Sequence, residues 1–125
     1  MIYYTDCFVM GTNPSEVGGG YTILNENNEV IETKRIYKKG FTNNEGELLG
    51  ALRAIELAEN GSEIYTDSQC ICYWIQNGRS KARKDLNEIL KNAYADMEKK
   101  DLTLVWIPRE ENLAGIYNEE NKLDC

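Results

Sequence analysis

Three acidic residues stand where this chain is about to change its local structure. Asp6 closes IYYTD (residues 2–6), Asp67 closes EIYTD (residues 63–67), and Glu47 directly precedes the apolar series Leu48, Ala51, Leu52, Ile55, Ala58. A β-branched and aromatic run that stops at Asp puts its carboxylate at the end of a strand. In an open α/β sheet that is where side chains leave the core and ligands collect. Glu47 borders the face that a helix would dock on the sheet, within reach of the same edge. Taken singly, each acid is equally well a helix cap or a solvated charge. Taken together, three converging carboxylates repel one another and are costly to bury unless a cation neutralises them. Hard divalent ions such as Mg²⁺ or Mn²⁺ suit such oxygen donors. Two of them, about 3.5–4 Å apart, can activate water on one side of a phosphodiester and stabilise the leaving oxygen on the other.

Composition narrows the chemistry further. The chain has no histidine among 125 residues, which removes Ser-His-Asp and Cys-His catalysis, His-ligated zinc and imidazole acid-base work together. Four cysteines, Cys7, Cys70, Cys72 and Cys125, have neither the spacing nor the secretory context of a disulfide framework, so reduced thiols are expected. Cys70 and Cys72 lie two apart on a predicted helix, point to different faces, and make a poor zinc pair. The net charge of −7 argues against coating nucleic acid by bulk attraction, yet two basic clusters stand out: Lys34, Arg35, Lys38 and Lys39 in TKRIYKK, and Arg79, Lys81, Arg83 and Lys84 in GRSKARK. Either alone is an ordinary solvated face. Two in an acidic chain suggest a polyanion gripped at defined points.

The elements that must position these groups follow from periodicity. Ile2–Val9 predicts a first strand, and GTNPSEVGGG a loop broken by Pro14 and Gly18 to Gly20. Tyr21–Leu24 and Val30–Tyr37 predict a hairpin around NENN. From Thr42 the period changes to helical, with Thr42 and Glu45 spaced as a capping box and Asn60-Gly61 as the stop. Residues 63–67 predict a strand and Ser68 the cap of a second helix ending near Asn77-Gly78. A third helix is expected over about residues 81–99, a strand over 102–108, and a last helix near residues 113–121. An antiparallel meander followed by strands joined through helices implies one domain over residues 1–125, an α/β fold with a mixed sheet flanked by helices. Nothing in the sequence is long and apolar enough for a membrane span, and MIYYTD lacks the form of a secretory signal, so an intracellular, cytoplasmic protein is expected.

The motifs TD at 5–6, GGGY before a hairpin, TNNEGEL at 42–48, YTDSQ at 65–69 and VWIPREEN at 105–112 occur in this order over nearly the whole chain. In this the sequence resembles type 1 ribonuclease H. The resemblance implies a ribonuclease H-like five-stranded mixed sheet, its first three strands antiparallel. It also implies a metal-dependent endonuclease that cleaves the RNA strand of RNA/DNA hybrids to 5′-phosphomonoesters, with two Mg²⁺ or Mn²⁺ ions held by Asp6, Glu47 and Asp67. Thr42, Asn43 and Asn44 match the loop that meets the hybrid backbone and minor groove, and Ser68 and Gln69 match positions near the DNA strand. Thr12 or Asn13 is the expected phosphate contact, and Arg83 and Lys84 lie in the basic segment that would grip DNA.

Two departures bear on the expected activity. Cys7 stands where relatives usually carry a small residue after the first Asp. The family places a fourth Asp four residues beyond the Asn of PREEN, which here is Ile116; Glu119, one turn later, is the expected substitute. A monomer acting on hybrid is the first expectation. A noncatalytic hybrid-binding module that lost its chemistry with the fourth Asp is the alternative.

Overall fold

The computed structural model describes residues 1–123, so Cys125 lies outside the described residues. Five strands form one sheet in the order β3-β2-β1-β4-β5: β1 Ile2–Val9, β2 Gly18–Asn25, β3 Val30–Tyr37, β4 Glu63–Thr66 and β5 Thr103–Trp106. β2 runs antiparallel to both β1 and β3, while β4 is parallel to β1 and β5 to β4. This is the mixed sheet that the sequence predicts. Helices α1 (Asn43–Leu57), α2 (Gln69–Asn77) and α3 (Asn87–Lys99) supply the crossovers, and α4 (Leu113–Glu120) closes the described chain.

The core lies under α1, α2 and α3. Ile23, Ala51, Ala54, Ile55, Ile64, Ile71, Ile75 and Leu90 are buried together there, the helical stripe of α1 meeting the alternating inward residues of the strands. Helix α4 packs on the opposite face. Tyr21 faces Gly50 of α1, whereas its neighbour Thr22 donates its hydroxyl to Asn118 of α4 at 2.6 Å.

The caps are those the sequence suggests, with one difference. Thr42 Oγ1 accepts from Glu45 N–H at 3.2 Å, but Glu45 does not reach back to close a capping box; its carboxylate takes Lys38 at 2.6 Å instead. Ser68 caps α2 by accepting from Ile71 N–H, and Gly78 ends it in the left-handed region at φ 68°.

Two boundaries differ from the sequence expectation. Gly18 to Gly20 are strand rather than loop, because the absent side chains let rings lie on the backbone: a β-carbon on Gly19 would sit 2.6 Å from the Phe41 ring, and one on Gly20 2.6 Å from that of Phe8. Helix α3 begins at Asn87, not near Lys81. Ser80 N–H donates to the Asn87 side chain and Ser80 Oγ accepts from Arg83 N–H, so local side-chain bonds hold residues 80–83 out of the helix before a single 3-10 turn at Lys84–Leu86.

Candidate active site

Strand β4 ends at Thr66, paired with Thr5 of β1, while β1 runs on to Val9. Asp6 and Asp67 are therefore the next residues of two adjacent parallel strands, at the point where their shared ladder stops. Glu47 comes to the same point from α1. A β-carbon on Gly46 would be 2.7 Å from Cys7 Cβ and one on Gly50 2.5 Å from Thr5 Oγ1, so glycines one turn apart let α1 lie directly on β1. Glu47 is 3% exposed; its Oε1 accepts from Cys7 N–H at 3.1 Å and its Oε2 from Thr66 Oγ1 at 3.4 Å. The first of these bonds uses the edge of β1 that β4 leaves bare. Asp6, Glu47 and Asp67 line a polar cleft of about 270 Å³ together with Cys7, Asn43, Ser68 and Arg109.

The electrostatics of this cleft are those of acids short of positive charge. Burial, then the charges of Glu47 and Asp67, push the Asp6 carboxyl well above the ordinary range. Burial also raises Glu47, against the lowering effect of hydrogen bonds from Cys7 and Asp6. Asp67 is raised by burial and held back by the Asn112 amide and the Arg109 charge. The Cys7 thiol is pushed up by burial and by Glu47, and it donates to Asn43 Oδ1 at 2.7 Å. Donor atoms of Asp6, Cys7 and Glu47 lie within 4.8 Å of one another, a spacing that one cation can span. Since the thiol is engaged with Asn43, the carboxylate oxygens are the donors that fit a hard divalent ion.

Glu119 is exposed and meets Arg109 at 3.6 Å rather than the carboxylate group, and Ile116 is 37% exposed. Helix α4 instead turns Gly115 and Asn118 toward Asp6. A β-carbon on Gly115 would stand 3.2 Å from Asp6 Oδ2, and Asn118 donates to the same oxygen at 3.3 Å and to the Cys7 carbonyl at 3.4 Å.

Asn112 is fully buried, donates to the Thr5 carbonyl at 3.0 Å and to Asp67 Oδ2 at 3.2 Å, and caps α4 through Ala114 N–H. It thus fixes both strand ends and the last helix at once. Its place directly before a helical segment was a cap signal in the sequence. Asn118 carried no such signal, because a polar residue on a short helix is ordinarily solvated. Among the described residues, Arg109 alone contributes a cation to the cleft lining.

Of the residues expected to meet nucleic acid, two line this cleft and the others stand outside its lining. Asn43 and Ser68 line it, Thr42 and Asn44 stand at the same end of α1, and Gln69 is exposed on the first turn of α2. Asn13 Oδ1 accepts from Asn43 N–H at 3.2 Å, which ties its loop to the α1 start, whereas Thr12 bonds within its own loop to the Pro14 carbonyl at 2.9 Å. Arg83 and Lys84 are exposed, with Arg83 paired to Asp85 at 2.8 Å. Thr42, Asn44 and Arg83 border one groove of about 450 Å³ whose floor includes Leu49, Leu52 and Trp74. Of the described cysteines, Cys7, Cys70 and Cys72 are free, and Cys70 is exposed where Cys72 is buried, as their helical spacing requires. No helix among the described residues is long and apolar enough to cross a membrane.

Comparison with known proteins bears on this geometry. A structure of LC11-RNase H1 in complex with an RNA/DNA hybrid is similar with a TM-score of 0.62 and 27% identity, covering 89% of this chain and 87% of that one. RNase H1 from the halophilic archaeon Halobacterium salinarum shares the fold with a TM-score of 0.68 at 20% identity, over 97% and 96% of the two chains. The N-terminal RNase H domain from Mycobacterium tuberculosis does so with a TM-score of 0.66 at 19% identity, over 93% and 92%. No curated protein matches by sequence. The RNase H family model matches residues 1–121, nearly the entire chain, and with the strand order and the converging strand ends already described it follows that this protein belongs to the RNase H family.

Proposed function

We propose that the protein is a metal-dependent endoribonuclease that hydrolyses the RNA strand of RNA/DNA hybrids. The observation that carries this reading is the convergence of Asp6, Glu47 and Asp67, all with raised carboxyl pKa values, in one polar cleft of an RNase H fold. Those three side chains would hold two Mg²⁺ or Mn²⁺ ions, which supply the activation of water and the stabilisation of the leaving oxygen. The chain's own part is orientation. Glu47 is fixed by Cys7 N–H and Thr66, Asp67 by Asn112, and Asp6 by Asn118, so each carboxylate is held before substrate arrives. Arg109, on the rim beside Asp67, is placed to attract a phosphate to the cleft. Thr42, Asn43, Asn44, Ser68 and Gln69 surround the cleft as hydrogen-bonding groups for backbone and 2′-hydroxyls. Thr12, Asn13, Arg83 and Lys84 stand further out as phosphate contacts.

A second reading rests on Gly115. With no carboxylate from α4 beside Asp6, the site would hold its ions more weakly, and a hybrid-binding module without turnover is the consequence if that loss is decisive. A cleavage assay on labelled RNA/DNA hybrid in Mg²⁺ and in Mn²⁺ separates the two, with single-stranded RNA, duplex DNA and the Asp67→Asn protein as controls. Hybrid-specific cleavage that falls at least about a hundredfold in Asp67→Asn supports the enzyme. Undiminished activity in that variant refutes it. Hybrid binding that weakens with salt, without cleavage in either metal, establishes the binding module.

A further inference from the structure

Strand β3 is one outer edge of the sheet, and eight residues long, whereas the opposite edge, β5, has four. Its outward-pointing backbone groups can be assigned. Lys38 N–H donates to the Val17 carbonyl, so in an antiparallel ladder of period two Ile36 and Lys34 also turn their N–H and C=O to β2. Thr33 and Arg35 then turn theirs away from the sheet. The exposed strand carries apolar residues at both ends, with Val30 44%, Ile31 41% and Tyr37 78% exposed, and no proline. Such an edge templates pairing with another strand unless charges forbid it.

Among axes centred on residues 32–35, the charges allow one arrangement. Two copies of VIETKRIY related by a two-fold axis normal to the sheet must pair antiparallel, with facing residues on the same side. Centring the axis on Glu32, Lys34 or Arg35 sets that residue against its own copy, like charge on like. Centring it on Thr33 sets Thr33 against Thr33, Glu32 against Lys34 twice, Ile31 against Arg35, and the Val30 end against Ile36. Facing Thr pairs and opposite charges are the cross-strand contacts that stabilise a ladder. The side chains permit it: Glu32 lies on the α1 face with Arg53 at 3.1 Å yet keeps 26% of its side chain exposed. Among the described residues Lys34 has no ion pair of its own. The bulge opposite Ile23 and Leu24 falls at the Val30 end, so the regular part of the Thr33-centred ladder is residues 32–34, which carries the Thr33 pair and both Glu32–Lys34 pairs.

We propose that β3 is a self-association edge, and that two copies join through it about Thr33 into one continuous sheet. This revises the expectation of a monomer and is independent of what the cleft does. A single strand pair buries little area, so the dimer is weak and concentration-dependent.

Sedimentation velocity on nucleic-acid-free protein, from micromolar to near-millimolar concentration, is expected to show monomer giving way to dimer. Lys34→Glu, which sets acid against Glu32 in both pairs, should weaken the dimer roughly tenfold or more. Thr33→Pro, which removes an outward N–H, should weaken it at least as much with the fold retained by circular dichroism. The decisive arm mixes Lys34→Glu with Glu32→Lys. Neither variant should self-associate, while the mixture should form a heterodimer, because both facing pairs are then complementary. Wild-type protein that stays monomeric throughout, Lys34→Glu that associates as well as wild type, or a mixture of folded variants no more associated than its components would each overturn the proposal. Should Glu32→Lys fail to fold for loss of its Arg53 contact, Lys34→Glu and Thr33→Pro decide it.

Discussion

An ideal β-carbon on Gly115 would approach Asp6 Oδ2 to 3.2 Å, so an acid placed there projects directly into the carboxylate group. In the present sequence that place is held by hydrogen alone, with Asn118 as the nearest polar neighbour. Gly115→Asp should therefore lower the melting temperature of the metal-free protein, because a further negative charge enters a group already short of cations. In Mn²⁺ the sign reverses. The added donor should tighten ion binding roughly tenfold by calorimetry, the scale on which metal-site residues act, and raise any hybrid cleavage. An unchanged metal affinity would mean that Gly115 does not mark the fourth ligand position.

Elements act on the cleft through their spacing. Helix α1 carries Glu47, and its approach to β1 depends on Gly46 and Gly50 having no side chains. Its far end is held as well: Lys100 Nζ donates to the carbonyls of Ile55, Glu56 and Ala58 and so satisfies groups a helix terminus leaves open. Gly46→Ala would gain about 1 kcal/mol of helix propensity. That gain is outweighed, since the new methyl would lie 2.7 Å from Cys7 Cβ, which cannot rotate away. We expect a net loss of about 1–2 kcal/mol in chemical denaturation, with weakened Mn²⁺ binding as Glu47 is lifted from β1.

For the whole molecule, the unpaired acids tie stability to pH. Asp6, Glu47 and Asp67 have folded pKa values raised by burial and mutual repulsion, so the folded state takes up protons where the unfolded chain does not. The sign follows: this contribution is complete below the unfolded carboxylate pKa of about 4 and is lost as pH rises through the folded values. Glu32 acts oppositely. Its pKa is lowered by Arg53 and Tyr21, and its contribution is lost as pH falls through the folded value, which bounds the optimum on the acid side. In EDTA the melting temperature should be higher at pH 5 than at pH 8, by about 4 °C for each kcal/mol involved. Asp6→Asn or saturating Mg²⁺ should flatten that slope. A metal-free protein more stable at pH 8 than at pH 5 would contradict the electrostatic account of the cleft.

Much of this was legible in the sequence because it is local. The β-branched runs that stop at Asp6 and Asp67, the helical stripe behind Glu47, and the caps Thr42 and Ser68 each signal themselves within a few residues, and the five-stranded mixed sheet follows from their order. What the sequence hid depends on partners distant in the chain. Gly18 to Gly20 have the composition of a loop and become strand because the rings of Phe8 and Phe41 need their space. Glu119 stands on the exposed side of α4 beside Arg109, because the rotation of α4 is set by Asn112, buried against Thr5 and Asp67, and by Asn118 against Thr22 and Asp6. Residue type and periodicity thus determined which acids could meet and on which elements. Which face of the last helix meets them was decided only by packing across more than a hundred residues of chain, because a helix's rotation about its own axis is fixed by the surface it buries against.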